Sequence, residues 1–269
     1  MGIRFTVLAS GSTGNASIID TEDAKLLVDA GLSAKKLQQL MEARDFHPKK
    51  LDGILITHEH SDHIKGLSVL ARKYELPVYA NAKTWLALEK HAGDIPDPKK
   101  IVMETGSVQQ FGSLSVESFA ISHDAAEPVG YCFNDGEVKL SFATDLGYVS
   151  EKVMSKIIDS DVLILESNHD IEMLRIGHYP WNIKRRILSD VGHLSNEAAG
   201  EALCEILLNG KVRRVYLAHL SRDHNVMDLA KLTVHSVVEG KGYSLSDRKI
   251  RLMETYYDRP TFWDAVGME

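Results

Sequence analysis

The chain predicts an α/β fold in one domain, residues 1–269, and three observations carry that reading. Short apolar runs of strand length recur along the chain, and stretches with helical spacing separate them. No Pro/Gly/Ser linker, internal repeat or composition break divides the sequence. With 269 residues, 44% hydrophobic and 26% charged, it can bury a large core.

Strands are expected in order near residues 3–9, 16–20, 25–29, 53–57, 77–80, 114–121, 138–143, 162–165 and 213–218, and helices near 33–43, 64–74, 82–91, 149–158 and 196–209. Between the first two strands, Ser10-Gly11-Ser12-Thr13-Gly14-Asn15 reads as a tight turn. It lacks the Gly-Lys-Ser/Thr ending of a phosphate loop and leads to a strand rather than a helix, so substrate contact there is the lesser reading. Residues 167–195 are the least regular stretch between strong elements, the expected cover over a site.

The strand at 53–57 runs into His58-Glu59-His60-Ser61-Asp62-His63, three imidazoles and a carboxylate in six residues, before the helical spacing resumes. Loops at such positions carry chemistry. On extended chain His58 and His60 project to one side and can bind one metal, while Asp62 and His63, after the chain turns, can aim at a second. A polar surface loop or capped helix start would use these residue types too, but not this concentration of ligands. Two ions need more donors than one loop holds.

Other strands end on suitable groups: 115–122 on His123-Asp124, 139–144 on Asp145 and 212–218 on His219. Taken alone, a histidine at a strand end is more often structural. Beside the loop cluster, His123 is assigned with His58 and His60, and His219 with Asp62 and His63, with Asp145 bridging. Asp124 reads as a turn residue, with ligation its alternative. Strand 162–165 ends on Glu166, and Gly192-His193-Leu194-Ser195 precedes a helix with Ser195 in capping position, where free amides suit a phosphate.

His-x-His-x-Asp-His followed by His123, Asp145 and His219 resembles the metallo-β-lactamase superfamily in its dinuclear form. Residues 8–15, the 56–63 loop, Glu166-Ser167-Asn168-His169-Asp170 and Gly192-His193-Leu194-Ser195-Asn196 resemble its YycJ (WalJ) branch. The resemblance spans nearly the whole chain and implies a four-layer αββα sandwich with the metals at one edge of two facing sheets. It implies two divalent ions, zinc or manganese, both compatible with nitrogen and oxygen ligands, and a nuclease similar to 5′ to 3′ DNA exonucleases. In the related RNase Z branch a similar glutamate and histidine act near the leaving group. Carried over, a hydroxide generated between the ions attacks phosphorus, Asp62 serves as ligand and catalytic residue, and His193, oriented by Glu166, protonates the leaving oxygen. If Glu166 and His193 instead form only a structural hydrogen bond, they fix the cover. Ser195, Asn196, His169, Lys184 and Arg186 are the expected substrate contacts.

The same seven ligands would serve a small-molecule hydrolase of the glyoxalase II or lactonase type, and family likeness does not choose DNA over RNA. A net charge of −7 and a pI near 5.9 are not those of a nucleic-acid binder, but two divalent ions create their own anion-attracting field. The basic groups Lys184-Arg185-Arg186, Lys211, Arg213-Arg214 and Arg222 read as solvated faces, the first lying nearest the expected cover. Two cysteines, Cys132 and Cys204, make no disulfide framework, and no apolar run reaches the length of a signal segment or membrane span. A cytoplasmic protein is expected, with oligomeric state left open.

Overall fold

The computed structural model describes residues 2–91 and 94–267. The first strands are β1 (Ile3–Ala9), β2 (Ala16–Asp20) and β3 (Lys25–Val28), followed by α1 (Ala34–Glu42), β4 (Gly53–Leu55), α2 (Ser61–Ile64), α3 (Leu67–Tyr74), β5 (Val78–Ala80) and α4 (Ala82–His91). Next come β6 (Lys100–Val102), β7 (Val108–Phe111), β8 (Leu114–Ala120), β9 (Val129–Asp135), β10 (Val138–Ala143), α5 (Glu151–Ile157) and β11 (Val162–Glu166). The chain continues through α6 (Ile171–Ile176), α7 (Trp181–Ile187), α8 (Asn196–Asn209), β12 (Arg214–Ala218), α9 (Met227–Gly240), β13 (Arg251–Glu254) and β14 (Asp264–Val266).

The chain divides into two compact units, one of Met1–Ala120, Ala125–Val138 and Thr255–Glu269, the other of Ile121–Asp124 and Lys139–Glu254. In the first, a seven-stranded sheet runs β14-β1-β2-β3-β4-β5-β6. Its β14, β1, β2 and β3 pair antiparallel, while β3 to β6 pair parallel. The parallel half carries near-continuous apolar residues, as a sheet covered by helices must. Leu27, Ile54 and Val78 from these strands share a core with Leu37 and Met41 of α1, Leu67 and Leu70 of α3, and Trp85 and Leu88 of α4. Strands β7, β8 and β9 pair antiparallel.

The second unit is a parallel ladder, β10 beside β11, β11 beside β12 and β12 beside β13. Helices α5, α8 and α9 follow β10, β11 and β12 in turn. Ser150 caps α5 and Ser195 caps α8, each hydroxyl accepting the amide three residues on. The consequence is positional: β10, β11 and β12 all deliver their carboxyl ends to one edge, with Glu166 registered against Ala218 and Ala143 against Leu165.

Three expectations are corrected. The helix expected over 64–74 is divided: α2 ends at Ile64 and α3 starts at Leu67, with Gly66 as its N-cap at a place where a Cβ would lie 2.4 Å from the Leu32 carbonyl. Residues 167–195 are not irregular: they hold α6 and α7, six and seven residues long and too short to show helical periodicity. Elements β6, β7, β9, β13, β14 and α9 were not anticipated. No helix among the described residues is long and apolar enough to cross a membrane.

Gly31 sets how closely the histidine loop is held. Its amide donates to the Asn15 carbonyl (2.9 Å), the Asn15 amide to the Asp62 carbonyl (2.8 Å) and the Ala30 amide to the His63 carbonyl (2.7 Å). A Cβ on Gly31 would sit 1.7 Å from the Asp62 oxygen, inside any possible contact. Gly31→Ala is therefore expected to retain parent-like circular dichroism, to lose ~1–3 kcal/mol of stability in thermal melts, and to bind added divalent metal more weakly in titrations. Parent-like melting and metal affinity together would contradict this close packing.

Candidate metal centre

In the first unit the 58–63 loop is organised by Asp29, which follows β3. Its carboxylate accepts from the Thr57 amide (2.9 Å) and hydroxyl (2.9 Å) and from Nδ1 of His63 (2.8 Å). Because a carboxylate only accepts, His63 carries its proton on Nδ1, and the ring's lone pair is on Nε2. That Nε2 lies 3.6 Å from Asp62 Oδ2. His58 is tied to Thr57 Oγ1 through Nδ1 (3.0 Å), and its ring centre stands 4.1 Å from that of His63 and 4.6 Å from that of His60. His58 and His63 are buried, while His60 and Asp62 are partly exposed beside a surface cleft that includes Glu59, Ser61 and Ile64.

The second unit repeats the device around Glu166, the last residue of β11. This fully buried carboxylate accepts from the amides of Leu146 (2.6 Å) and Leu194 (3.1 Å), from His193 Nδ1 (2.8 Å) and from His219 Nδ1 (3.1 Å). Burial works against its charge, but the charge of His193 and the hydrogen bonds from His193 and His219 outweigh burial and hold its carboxyl far below the usual range. His193 responds in the opposite sense: burial disfavours its cation, yet Glu166 raises its pKa. His123 donates from Nδ1 to the Gly192 carbonyl (3.0 Å), and burial lowers its pKa.

The ring nitrogens so oriented converge on Asp145. Its Oδ1 is 3.4 Å from His219 Nε2 and 3.8 Å from His123 Nε2. Two donors each about 2.0–2.1 Å from a tetrahedral ion stand roughly 3.3 Å apart, so these spacings suit ligands of a shared cation better than hydrogen-bond partners. Ligand atoms of Asp145, Glu166, His193 and His219 lie within 4.8 Å of one another. Nitrogen and carboxylate donors with fixed tautomers fit a divalent metal.

Backbone strain marks the same residues. Asp29 (φ 59°), Asp145 (φ 60°) and His219 (φ 55°), just beyond β3, β10 and β12, adopt left-handed conformations that a non-glycine residue takes up at a cost of about 1 kcal/mol or more. Each turns its side chain out of strand direction at the point of use.

The expected substrate contacts fare unevenly. Asn196 is corrected: it is fully buried, its amide oxygen accepts from Ser167 Oγ (2.6 Å) and Asn225 Nδ2 (2.8 Å), and its amide nitrogen donates to Asn225 (3.0 Å). Lys184 is corrected too, since its buried ammonium donates to the carbonyls of Arg175 (2.7 Å) and Gly177 (2.6 Å) and closes the end of α6. Ser195 spends its hydroxyl on the Ala198 amide. Arg186 is exposed and pairs with Asp124. His169 is 1% exposed with no hydrogen-bond partner on either ring nitrogen among the described residues, and burial lowers its pKa to about 4.

Four supporting residues went unassigned in the sequence. Asp29 follows a strand just as Asp145 does, so the same strand-end rule would have found it. Thr57 precedes the loop, Asn15 sets its amide 3.2 Å from His63 Nε2, and Asn168 donates to the His219 carbonyl (2.7 Å). Asparagine and threonine carry no ligand signature, and only the fold reveals them.

Comparison with known proteins agrees. The family model described as the β-lactamase superfamily domain matches residues 24–220. The chain is 52% identical over 247 residues to exodeoxyribonuclease YycJ of Bacillus anthracis, covering 92% of this chain and 93% of that protein. It is 46% identical over 236 residues to exodeoxyribonuclease WalJ of Streptococcus pneumoniae, covering 87% of each. The crystal structure of the metallo-β-lactamase fold protein YhfI from Bacillus subtilis superposes with a TM-score of 0.72 at 17% identity, covering 97% of this chain and 99% of that one, a likeness of fold. The chain has that α/β sandwich fold and belongs to the metallo-β-lactamase superfamily, in its YycJ/WalJ branch.

Proposed function

We propose that this chain is a metal-dependent nuclease that degrades DNA from the 5′ end. The observation that carries the reading is the buried Glu166 carboxylate holding His193 beside Asp145. A histidine protonated by such a partner is equipped to assist an alkoxide leaving group, as phosphodiester cleavage requires and thioester or activated-amide cleavage does not. Identity of 52% to an exodeoxyribonuclease over nearly the full length supports the substrate class.

Two divalent ions, zinc or manganese, are proposed, one on His58, His60 and His123 and one on Asp62, His63 and His219, with Asp145 shared. When bound, such ions acidify water and neutralise the phosphoryl oxygens. Glu166 keeps His193 Nδ1 occupied and favours its cation, so Nε2 would carry the proton to be delivered to the departing oxygen. Asp62, also proposed to act in catalysis, and Asp145 would join the neighbouring imidazoles as ligands. Arg186, exposed on α7, is proposed to meet the phosphate backbone. His169 is assigned a contact to substrate or to bound water, because its two buried nitrogens otherwise stay unsatisfied. Residues 1–269 are taken as one cytoplasmic domain with 167–195 as its cover, supported by buried, unbridged Cys132 and Cys204.

Two outcomes test the reading. Asp145→Ala is expected to abolish metal-dependent cleavage of 5′-labelled DNA and to lower bound metal measured by emission spectroscopy; unchanged phosphodiesterase activity would rule out the shared-ligand centre. His193→Ala should slow DNA cleavage by ~10²–10⁴-fold while leaving bis(p-nitrophenyl) phosphate hydrolysis within a few-fold of the parent, since p-nitrophenolate departs without a proton. Equal loss on both substrates would remove His193 from the leaving-group role.

A further inference from the structure

Away from the metal ligands, three arginine–aromatic contacts converge on residues 255–263. The guanidinium carbon of Arg259 lies 4.0 Å from the Tyr256 ring centre, that of Arg44 lies 4.8 Å from Phe262, and that of Arg4 lies 4.3 Å from Trp263. Arg4 is neutralised by Asp20. Among the described residues no carboxylate pairs with Arg44 or Arg259. Arg44 instead donates to the carbonyls of Ala43, Pro260 and Thr261, which fixes its plane without an ion pair.

Exposure on this segment runs against ordinary surface design. Phe262 is 84% exposed and Tyr257 47%, and Arg259 is also exposed. Aromatic rings in water beside two guanidinium groups that no carboxylate pairs with among the described residues, with exposed Asp258 the acidic neighbour in the segment, form a surface suited to a flat and anionic ligand. The segment is also tied to the metal loop. The Ser10 amide donates to the Tyr256 carbonyl (2.8 Å), and the turn beginning at Ser10 ends at Asn15, whose amide holds the Asp62 carbonyl (2.8 Å).

We infer that this surface is a platform for single-stranded nucleic acid, with unpaired bases stacking on Phe262 and Tyr257 and phosphates drawn to Arg44 and Arg259. The inference rests on the nuclease reading and extends it to a substrate-holding surface. A duplex hides its base faces, whereas every unpaired base offers one, so aromatic platforms select single strands without selecting sequence. Phosphate contact through arginine makes such binding fall with salt.

The test compares the parent with Phe262→Ala, Phe262→Trp and Arg259→Ala, all full-length. Fluorescence anisotropy with labelled fifteen-residue oligo(dT), in chelator to prevent cleavage, measures affinity at several salt concentrations. Phe262→Ala is expected to weaken binding about tenfold with the salt slope unchanged, and Phe262→Trp to restore it. Arg259→Ala should weaken binding and lower the salt slope by about one. Metal-loaded hydrolysis of bis(p-nitrophenyl) phosphate should be the same in all four proteins. Parent-like affinity in both alanine variants, or an equal loss when the same label is carried on a fifteen-base-pair duplex, overturns the platform. A parent that fails to hydrolyse the phosphodiester would instead count against the nuclease reading, and the binding comparison would still decide the platform.

Discussion

One buried charge organises the second unit: the Glu166 carboxylate, closed from solvent at the end of β11. Removing a carboxylate from water costs several kcal/mol unless its oxygens are satisfied. Four donors satisfy it here, from the residue after Asp145, from His193 and Leu194 before α8, and from His219 after β12. Losing any one donor would leave part of that charge unpaired, so the three segments keep a single arrangement. The same oxygen, Oε1, binds both His193 and His219, coupling a proposed metal ligand to a proposed proton donor.

Asp29 plays the corresponding part in the first unit, with Thr57 and His63 as its donors. In both places a carboxylate at a parallel strand end sets a histidine tautomer, so that ring lone pairs are presented before any ion arrives. Left-handed backbone at Asp29, Asp145 and His219 is the cost of aiming those side chains, and it is tolerated because the surrounding hydrogen bonds over-determine each turn.

Much of this was legible in residue order. Strands β1 to β5, β8 and β10 to β12 announce themselves as apolar runs, and the ligating types follow them directly. What escaped did so for physical reasons. Strands β6, β7 and β14 are three or four residues long and half-exposed, without an alternation to read. Helix α9 carries Thr233, Val234, Val237 and Val238, whose branched side chains lower helix propensity, and Val226 gives it no side-chain cap. Asn196 and Lys184 were misread because residue type alone does not say whether a polar group faces substrate or saturates a backbone. The Arg44–Phe262 stack joins residues 218 positions apart, beyond any local pattern.

The measurement that bears most directly on this account is a comparison of Glu166→Gln with the parent in single-turnover cleavage of 5′-labelled DNA, with metal content determined on the same samples. An amide of the same shape removes the charge that holds His193 and His219. The account predicts a folded protein that still takes up metal and cleaves DNA at least ~100-fold more slowly. Parent-like cleavage by Glu166→Gln would contradict it.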